Sequence, residues 1–264
     1  MRSGISIGFQ KYSNPSRKYE FVKKIVDGSV STIYLGRCRE SGRNVIIKRI
    51  PKREEWMSEL NILKLLPVDK KIVKYVDHFI MERYVYIVTE FYSGYDLFEH
   101  IDINVPYDED MGVMIIREMS KCLKICHDVN IAHLDIKCEN FMVLSMTPPS
   151  LVLIDFGHSE RVLNSGDIVD GHFNYGTHYY LCPEGYNNYY SLYSDIWSLG
   201  ICSHLILTGE YPRENKDGSI EIVGDVSECA REFMLGCLNV NPSSRFTISE
   251  VLSHKFLSSG RVDE

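Results

Sequence analysis

His133-Leu134-Asp135-Ile136-Lys137-Cys138-Glu139-Asn140 places a carboxylate, a cation and an amide within one short loop between two apolar runs. Downstream, Asp155-Phe156-Gly157 follows the apolar, strand-like run Leu151-Val152-Leu153-Ile154. A carboxylate at the end of an apolar strand, followed by glycine, is placed to hold a divalent cation. Mg²⁺ takes hard oxygen ligands and commonly keeps one or two carboxylates plus substrate phosphates, and Asn140 can add a neutral oxygen. Upstream, Lys48 ends the apolar run Asn44-Val45-Ile46-Ile47-Lys48 and presents a fixed positive charge. A strand lysine, a carboxylate–lysine–amide loop and a metal-binding carboxylate are together what phosphoryl transfer needs.

The pattern around these residues changes along the chain. Tyr19-Glu20-Phe21-Val22, Ser31-Thr32-Ile33-Tyr34-Leu35-Gly36 and Asn44 to Lys48 read as strands, parted by the turn residues Asp27-Gly28-Ser29 and Glu40-Ser41-Gly42-Arg43. Trp56, Leu60, Leu63 and Leu66 recur at helical spacing up to Pro67. Ile72 to Phe79 and Tyr84 to Phe91 read as two more strands. After Ser93-Gly94 the periodicity turns helical, over 109–129, 193–208, 226–240 and 247–257. A β-rich lobe followed by a mostly helical one, with a joint at 90–94, is an α+β architecture, and such joints are where ligand clefts usually lie.

Composition narrows the function classes. With 264 residues, 44% hydrophobic and 25% charged, the chain is ordinary globular material rather than a disordered or fibrous one. Lys and Arg total 29 against 36 Asp and Glu, and the net charge of −7 disfavours broad nucleic-acid binding. Lys48, Arg49, Lys52 and Arg53 form a local basic patch that reads first as a solvated strand end. None of the eight cysteines forms a Cys-x-x-Cys pair, so zinc-knuckle and thioredoxin readings fail. Cys122 and Cys126, four apart in a helical pattern, read as small buried hydrophobes. The N-terminal residues show no secretory signal, and no apolar run is long enough to span a membrane. The expectation is a reduced, intracellular protein.

In order and spacing, these motifs resemble the eukaryotic-type protein kinase superfamily, specifically a serine/threonine protein kinase catalytic domain. The resemblance covers residues 19–257. Val45-Ile46-Ile47-Lys48 resembles the strand motif, and Glu59-Leu60-Asn61-Ile62-Leu63 the helix-C segment. Gly176-Thr177-His178-Tyr179-Tyr180-Leu181-Cys182-Pro183-Glu184 stands where the activation segment ends. Asp195-Ile196-Trp197-Ser198-Leu199-Gly200 resembles the buried helix-F motif, and Asn241 to Thr247 carries Arg245, the expected partner of Glu184. The resemblance implies a bilobal fold: a five-stranded antiparallel sheet plus helix C, then a mostly helical lobe. It divides the chain into an extension (1–18), a small lobe (19–91), a hinge (90–94), a large lobe (95–257) and a tail (258–264). Lipid and aminoglycoside kinases share the lysine and metal logic but would not be expected to carry the motifs at 176–184, 195–200 and 241–247.

The roles implied are these. Asp135 takes or orients the proton of the substrate hydroxyl, and Lys137 neutralises the moving γ-phosphoryl. Lys48 grips the α- and β-phosphates of ATP and pairs with Glu59. Asn140 and Asp155 hold Mg²⁺. Ile25, Gly28, Ile33, Ile46, Thr89, Glu90, Tyr92 and Met142 complete the nucleotide site, with Thr89 as gatekeeper and Glu90-Phe91-Tyr92 as hinge. Lys137 and Thr177 fit the serine/threonine class.

The departures are equally legible. Of Gly-x-Gly-x-x-Gly the lid keeps only Gly28, with Val26 and Ser31 in the other two positions, so backbone N–H groups approach phosphate less closely. Ile46 replaces the usual alanine. Leu134 replaces the arginine that commonly pairs with a phosphorylated activation loop, which implies activity without that modification. The stretch from Pro212 to Val226 is short for helix G. Asp96 and Glu139 stand where basophilic kinases read basic residues, implying a basic protein substrate with a Ser or Thr acceptor. The alternative is a pseudokinase scaffold that binds protein partners. Localisation is expected to be cytoplasmic or nuclear, and in a host cell if this compact chain is virus-encoded.

Overall fold

The computed structural model describes residues 17–28, 30–52, 56–104, 107–162, 169–170, 178–215 and 218–258. The expectations placed on residues 1–16, Ser29, Gly176, Thr177 and the tail from 259 lie outside them.

The chain divides into two compact units, one of residues 1–56 and 75–91, the other of 57–74 and 92–264. The first is an antiparallel sheet of β1 (Tyr19–Asp27), β2 (Thr32–Cys38), β3 (Asn44–Pro51), β4 (Tyr75–Met81) and β5 (Tyr84–Glu90), in the order β1-β2-β3-β5-β4. Tyr19, Val45, Ile47, Phe79 and Val88 bury their side chains in one cluster on one face. Alternation along a strand therefore sends Ile46 and Lys48 to the opposite face. β3 runs on to Pro51, opposite Tyr84, so Lys48 sits inside the strand rather than at its end. α1 (Trp56–Leu65) follows β3 and carries Glu59, which is buried.

The strand expected from Ile72 begins only at Tyr75. Ile72 instead makes a parallel bridge to Leu153, and the Val73 N–H donates to the Leu153 carbonyl at 2.9 Å. Those backbone groups are thus committed to the second unit.

The second unit continues through α2 (Leu97–Asn104), α3 (Glu109–His127), β6 (Ile131–Ala132), β7 (Phe141–Met146), β8 (Pro149–Leu153), β9 (Glu160–Arg161), β10 (Val169–Asp170) and β11 (Tyr189–Tyr190). It ends with α4 (Leu192–Thr208), β12 (Arg213–Glu214), β13 (Ile220–Glu221), α5 (Glu228–Cys237), α6 (Ile248–Ser253) and α7 (Lys255–Ser258). Its centre is α4, buried nearly all round, as its apolar sequence requires. Ser191 caps its start in a reciprocal bond pair with Ser194, and Gly209 ends it at φ 77°, a conformation that favours glycine. β12 and β13 pair as a hairpin in the short stretch after Pro212. The single helix expected over 247–257 is broken at His254, whose extended backbone separates α6 from α7. No helix among the described residues is long and apolar enough to cross a membrane.

Candidate active site

The sheet gathers one group of the expected site residues. Ile33 lies opposite Lys48 on neighbouring strands, and Ile46 lies opposite Thr89. Cross-strand pairing and two-residue spacing put all four on one face. Glu90 ends β5 opposite Val45. At the β1–β2 turn the Gly28 N–H donates to the Ser31 carbonyl at 3.0 Å. A Cβ at Gly28 would stand 3.1 Å from that oxygen, a tight contact that glycine avoids. Ile25 falls at a register shift in β1, and Val26 faces Ile33 across the pair.

The second group is held in the other unit by a buried carboxylate. Asp195, in the first turn of α4 and 0% exposed, accepts the backbone N–H groups of His133 and Leu134, each at 2.8 Å. His127 Nε2, at the end of α3, lies 3.0 Å from the same carboxylate. These bonds hold Leu134 at φ 62°, a left-handed conformation that costs a branched residue on the order of 1–2 kcal/mol. The reversal turns the following residue, Asp135, to its partners. Sequence reading singled out the Asp195 motif but not this task. The available signal was an acid at the start of an otherwise apolar helix.

Asp135 is then fixed from two sides. Lys137 Nζ lies 3.0 Å from its Oδ1 and 2.8 Å from its Oδ2. Asn140 Nδ2 donates to the Asp135 carbonyl at 2.7 Å and to its Oδ2 at 2.9 Å. Both of those partners are acceptors, so the amide nitrogen faces them and Oδ1 is left for a cation. The Asn140 carbonyl accepts the Ile154 N–H at 2.9 Å, which links the loop to the residue before Asp155.

Asp155 has φ 57°, and its Oδ1 accepts the Gly157 N–H at 3.2 Å. His133 braces this turn. Its Nε2 lies 3.1 Å from the Ile154 carbonyl and must donate, while Nδ1 accepts the Asp135 N–H at 3.3 Å. The Phe156 ring meets the His133 ring edge to face at 4.8 Å, and Ser159 Oγ donates to the His133 carbonyl at 3.1 Å. A carboxylate and an amide oxygen on one braced frame suit an oxygen-seeking ion that completes its shell with phosphate and water. Among the described residues no cluster of three or more His, Cys, Asp or Glu suited to a metal occurs.

The other expected residues lie around this frame. Met142 is on β7, opposite Val152 and bridged to Asp96. The Tyr92 hydroxyl accepts the Lys74 N–H at 3.3 Å. Glu139 has one carboxylate oxygen buried without a hydrogen-bond partner, and burial pushes its pKa above the usual carboxylate range. Leu134 packs on the apolar cluster of Ala132, Val162 and Leu192. Further along, Arg245 pairs bidentately with Glu184, at 2.6 and 2.7 Å. The same guanidinium donates to the Asn239 and Tyr193 carbonyls and lies 4.9 Å from the Trp197 ring centre.

Known proteins resemble this chain in sequence. The family model "Protein kinase domain" matches residues 19–257. The chain is similar to calcium-dependent protein kinase 12 of Oryza sativa subsp. japonica, 28% identical over 93% of this chain and 50% of that protein. It is similar to calcium-dependent protein kinase 19 of Arabidopsis thaliana, 28% identical over 94% and 49%. It is also similar to the striated muscle preferentially expressed protein kinase of Danio rerio, 30% identical over 92% of this chain and 9% of that protein. The chain thus spans about half the length of the plant relatives.

Proposed function

We infer, since this chain belongs to the protein kinase domain family, that it transfers the γ-phosphoryl group of ATP to serine or threonine hydroxyls of protein substrates. The observation that carries this is the Asp135 carboxylate, oriented by Lys137 and Asn140 on a loop that Asp195 locks from beneath.

The hydroxyl of the acceptor gives its proton to Asp135 as its oxygen forms the new bond to phosphorus. The bond from that phosphorus to the β-phosphate oxygen breaks, and ADP leaves. Lys137, already on the Asp135 carboxylate, offsets charge on the moving group. Lys48 grips the α- and β-phosphates, and Glu59 is its partner in that task. Asn140 Oδ1 and Asp155 are the ligands for Mg²⁺, which supplies charge neutralisation on the phosphates when bound. In this reading the adenine contacts are assigned to Ile25, Ile33, Ile46, Thr89 and Glu90 in the first unit and to Tyr92 and Met142 in the second, and Gly28 is assigned to the phosphates.

Two finer assignments accompany this reading. The carboxylates of Asp96 and Glu139 favour a basic peptide. Leu134, seated in an apolar cluster where a phosphate-reading arginine would stand, favours activity without activation-loop phosphorylation. We place the enzyme inside cells, cytoplasmic or nuclear.

The second reading, a pseudokinase scaffold, draws on Val26 and Ser31 in the lid. Purified protein incubated with Mg²⁺, labelled ATP and a basic protein separates the two. Label transfer that an Asp135→Ala variant lacks is the expected result. Equal labelling by both proteins, or by neither, would defeat the proposal.

A further inference from the structure

Five residues stand directly opposite one another across all five strands of the sheet: Asp27, Thr32, Arg49, Tyr86 and Phe79. Three of them are joined by hydrogen bonds at the lid end. Arg49 Nη2 donates to Thr32 Oγ1 at 2.9 Å, and Thr32 Oγ1 lies 3.2 Å from Asp27 Oδ1. A guanidinium can only donate and a carboxylate can only accept. The Thr32 hydroxyl therefore accepts from Arg49 and gives its single proton to Asp27. Thr32 is only 4% exposed, so little water reaches its hydroxyl to replace these bonds, although the Asp27 carboxylate at the far end is exposed. Lys24 Nζ holds the other Asp27 oxygen at 2.5 Å.

The far end is anchored in the aromatic core. The Arg49 guanidinium carbon lies 4.7 Å from the Tyr84 ring centre and 5.7 Å from that of Tyr34. Tyr86 stacks on Phe79 at 4.7 Å between ring centres. Asp27 and Thr32 close the β1–β2 hairpin that carries Gly28, so the row ties that hairpin to the strand bearing Lys48. Because Arg49 is next to Lys48 in β3, the row occupies the opposite face of the sheet from Ile33, Ile46, Lys48 and Thr89.

We propose that Asp27, Thr32 and Arg49 are positioning residues: a side-chain clamp that fixes the lid hairpin for nucleotide from the back of the sheet. The inference rests on the nucleotide reading above. A lid with three glycines finds its phosphate-binding shape by torsional freedom. This lid has one. Valine and serine restrict it, so its affinity depends on being held near the bound shape beforehand, which cuts the ordering cost of binding.

The test is Thr32→Val, which keeps the shape and removes the hydroxyl, beside Thr32→Ser, which restores it. Amide hydrogen exchange of the nucleotide-free protein reads the clamp directly, with the Gly28 N–H, bonded to Ser31, as reporter. Calorimetry with Mg²⁺ and adenylyl imidodiphosphate reads its consequence. Thr32→Val should quicken exchange at 28–33 and weaken binding about three- to tenfold, the range for losing one ordinary hydrogen bond. Thr32→Ser should recover both. Unchanged exchange in Thr32→Val, or faster exchange with undiminished affinity, would overturn the clamp while leaving the kinase reading intact. Wild-type protein that binds no nucleotide would overturn both.

Discussion

Replacing Asp195 by asparagine would swap one of its two accepting oxygens for an amide that faces a backbone N–H. Asp195 has no exposed surface, and both oxygens are engaged by His133 and Leu134. Breaking a buried, hydrogen-bonded charge network by removing one member typically costs about 3–5 kcal/mol. Asp195→Asn should lie near the lower bound, since one oxygen survives, and urea denaturation would measure it. Activity should fall further than stability alone predicts, because these bonds help hold Leu134 at positive φ and Asp135 follows it. A soluble Asp195→Asn protein with wild-type turnover would show that the loop holds its shape unaided. Asp135 itself makes the complementary case. It is part-buried and its charge is matched by Lys137, and asparagine keeps its shape, so Asp135→Asn should leave the fold and nucleotide affinity nearly unchanged. Its turnover should drop by roughly 10²–10³, the range for losing one preorganised polar group.

At the scale of elements, His204 ties α4 to the chain on either side of the hairpin, just before β12 and just after β13. Nε2 accepts the Val223 N–H at 3.1 Å, so the proton sits on Nδ1, which donates to the Glu210 carbonyl at 2.7 Å. A protonated ring could not accept from Val223. Burial accordingly holds the His204 pKa below its ordinary 6.5. The unfolded chain then binds this proton more readily than the folded one. Stability is full above pH 6.5 and falls as pH drops from there toward the folded-state pKa. His204→Gln should flatten that slope, read as the unfolding midpoint in denaturant between about pH 7 and 5. His254, also held below its ordinary value by burial, keeps some slope in the variant. An unaltered slope in His204→Gln would remove His204 from the account.

Elements differ in how plainly the sequence shows them. β1, β2, β3 and β5 could be read because β-branched and aromatic runs are set off by turn residues, and α4 because its apolar run is long. α2 is too short for its period to stand out, and β7 is an apolar run that a buried helix would match equally well. β4 starts late because Ile72 and Val73 bond to β8, a partner far along the chain. The same division runs through the site. Asp135, Lys137 and Asn140 are adjacent in sequence, so their chemistry was visible there. The carboxylate that holds them, the tautomer of His133 and the row from Asp27 to Arg49 depend on residues that only folding brings together.

For the whole molecule, the proposed activity without activation-loop phosphorylation requires that the second unit's loops be held by contacts other than a phosphate. Arg245 and Glu184 fasten the end of the activation segment to the start of α4 and the turn before α6, inside the protein and independently of any modification. Leu134 fastens the other end by packing on Ala132, Val162 and Leu192. An arginine at Leu134 would set an unpaired charge against those apolar side chains unless a phosphate met it. With leucine there is no cation to satisfy, and the contact is made by hydrophobic burial alone. Protein treated with a phosphatase should therefore keep most of its phosphotransfer activity, assayed with a basic protein substrate after the phosphatase is removed. Mass spectrometry would confirm that any modified residue between 159 and 177 had been cleared. Loss of most activity, restored by rephosphorylation, would mean that another cation reads a phosphate there and that the Leu134 contact is not what holds the segment.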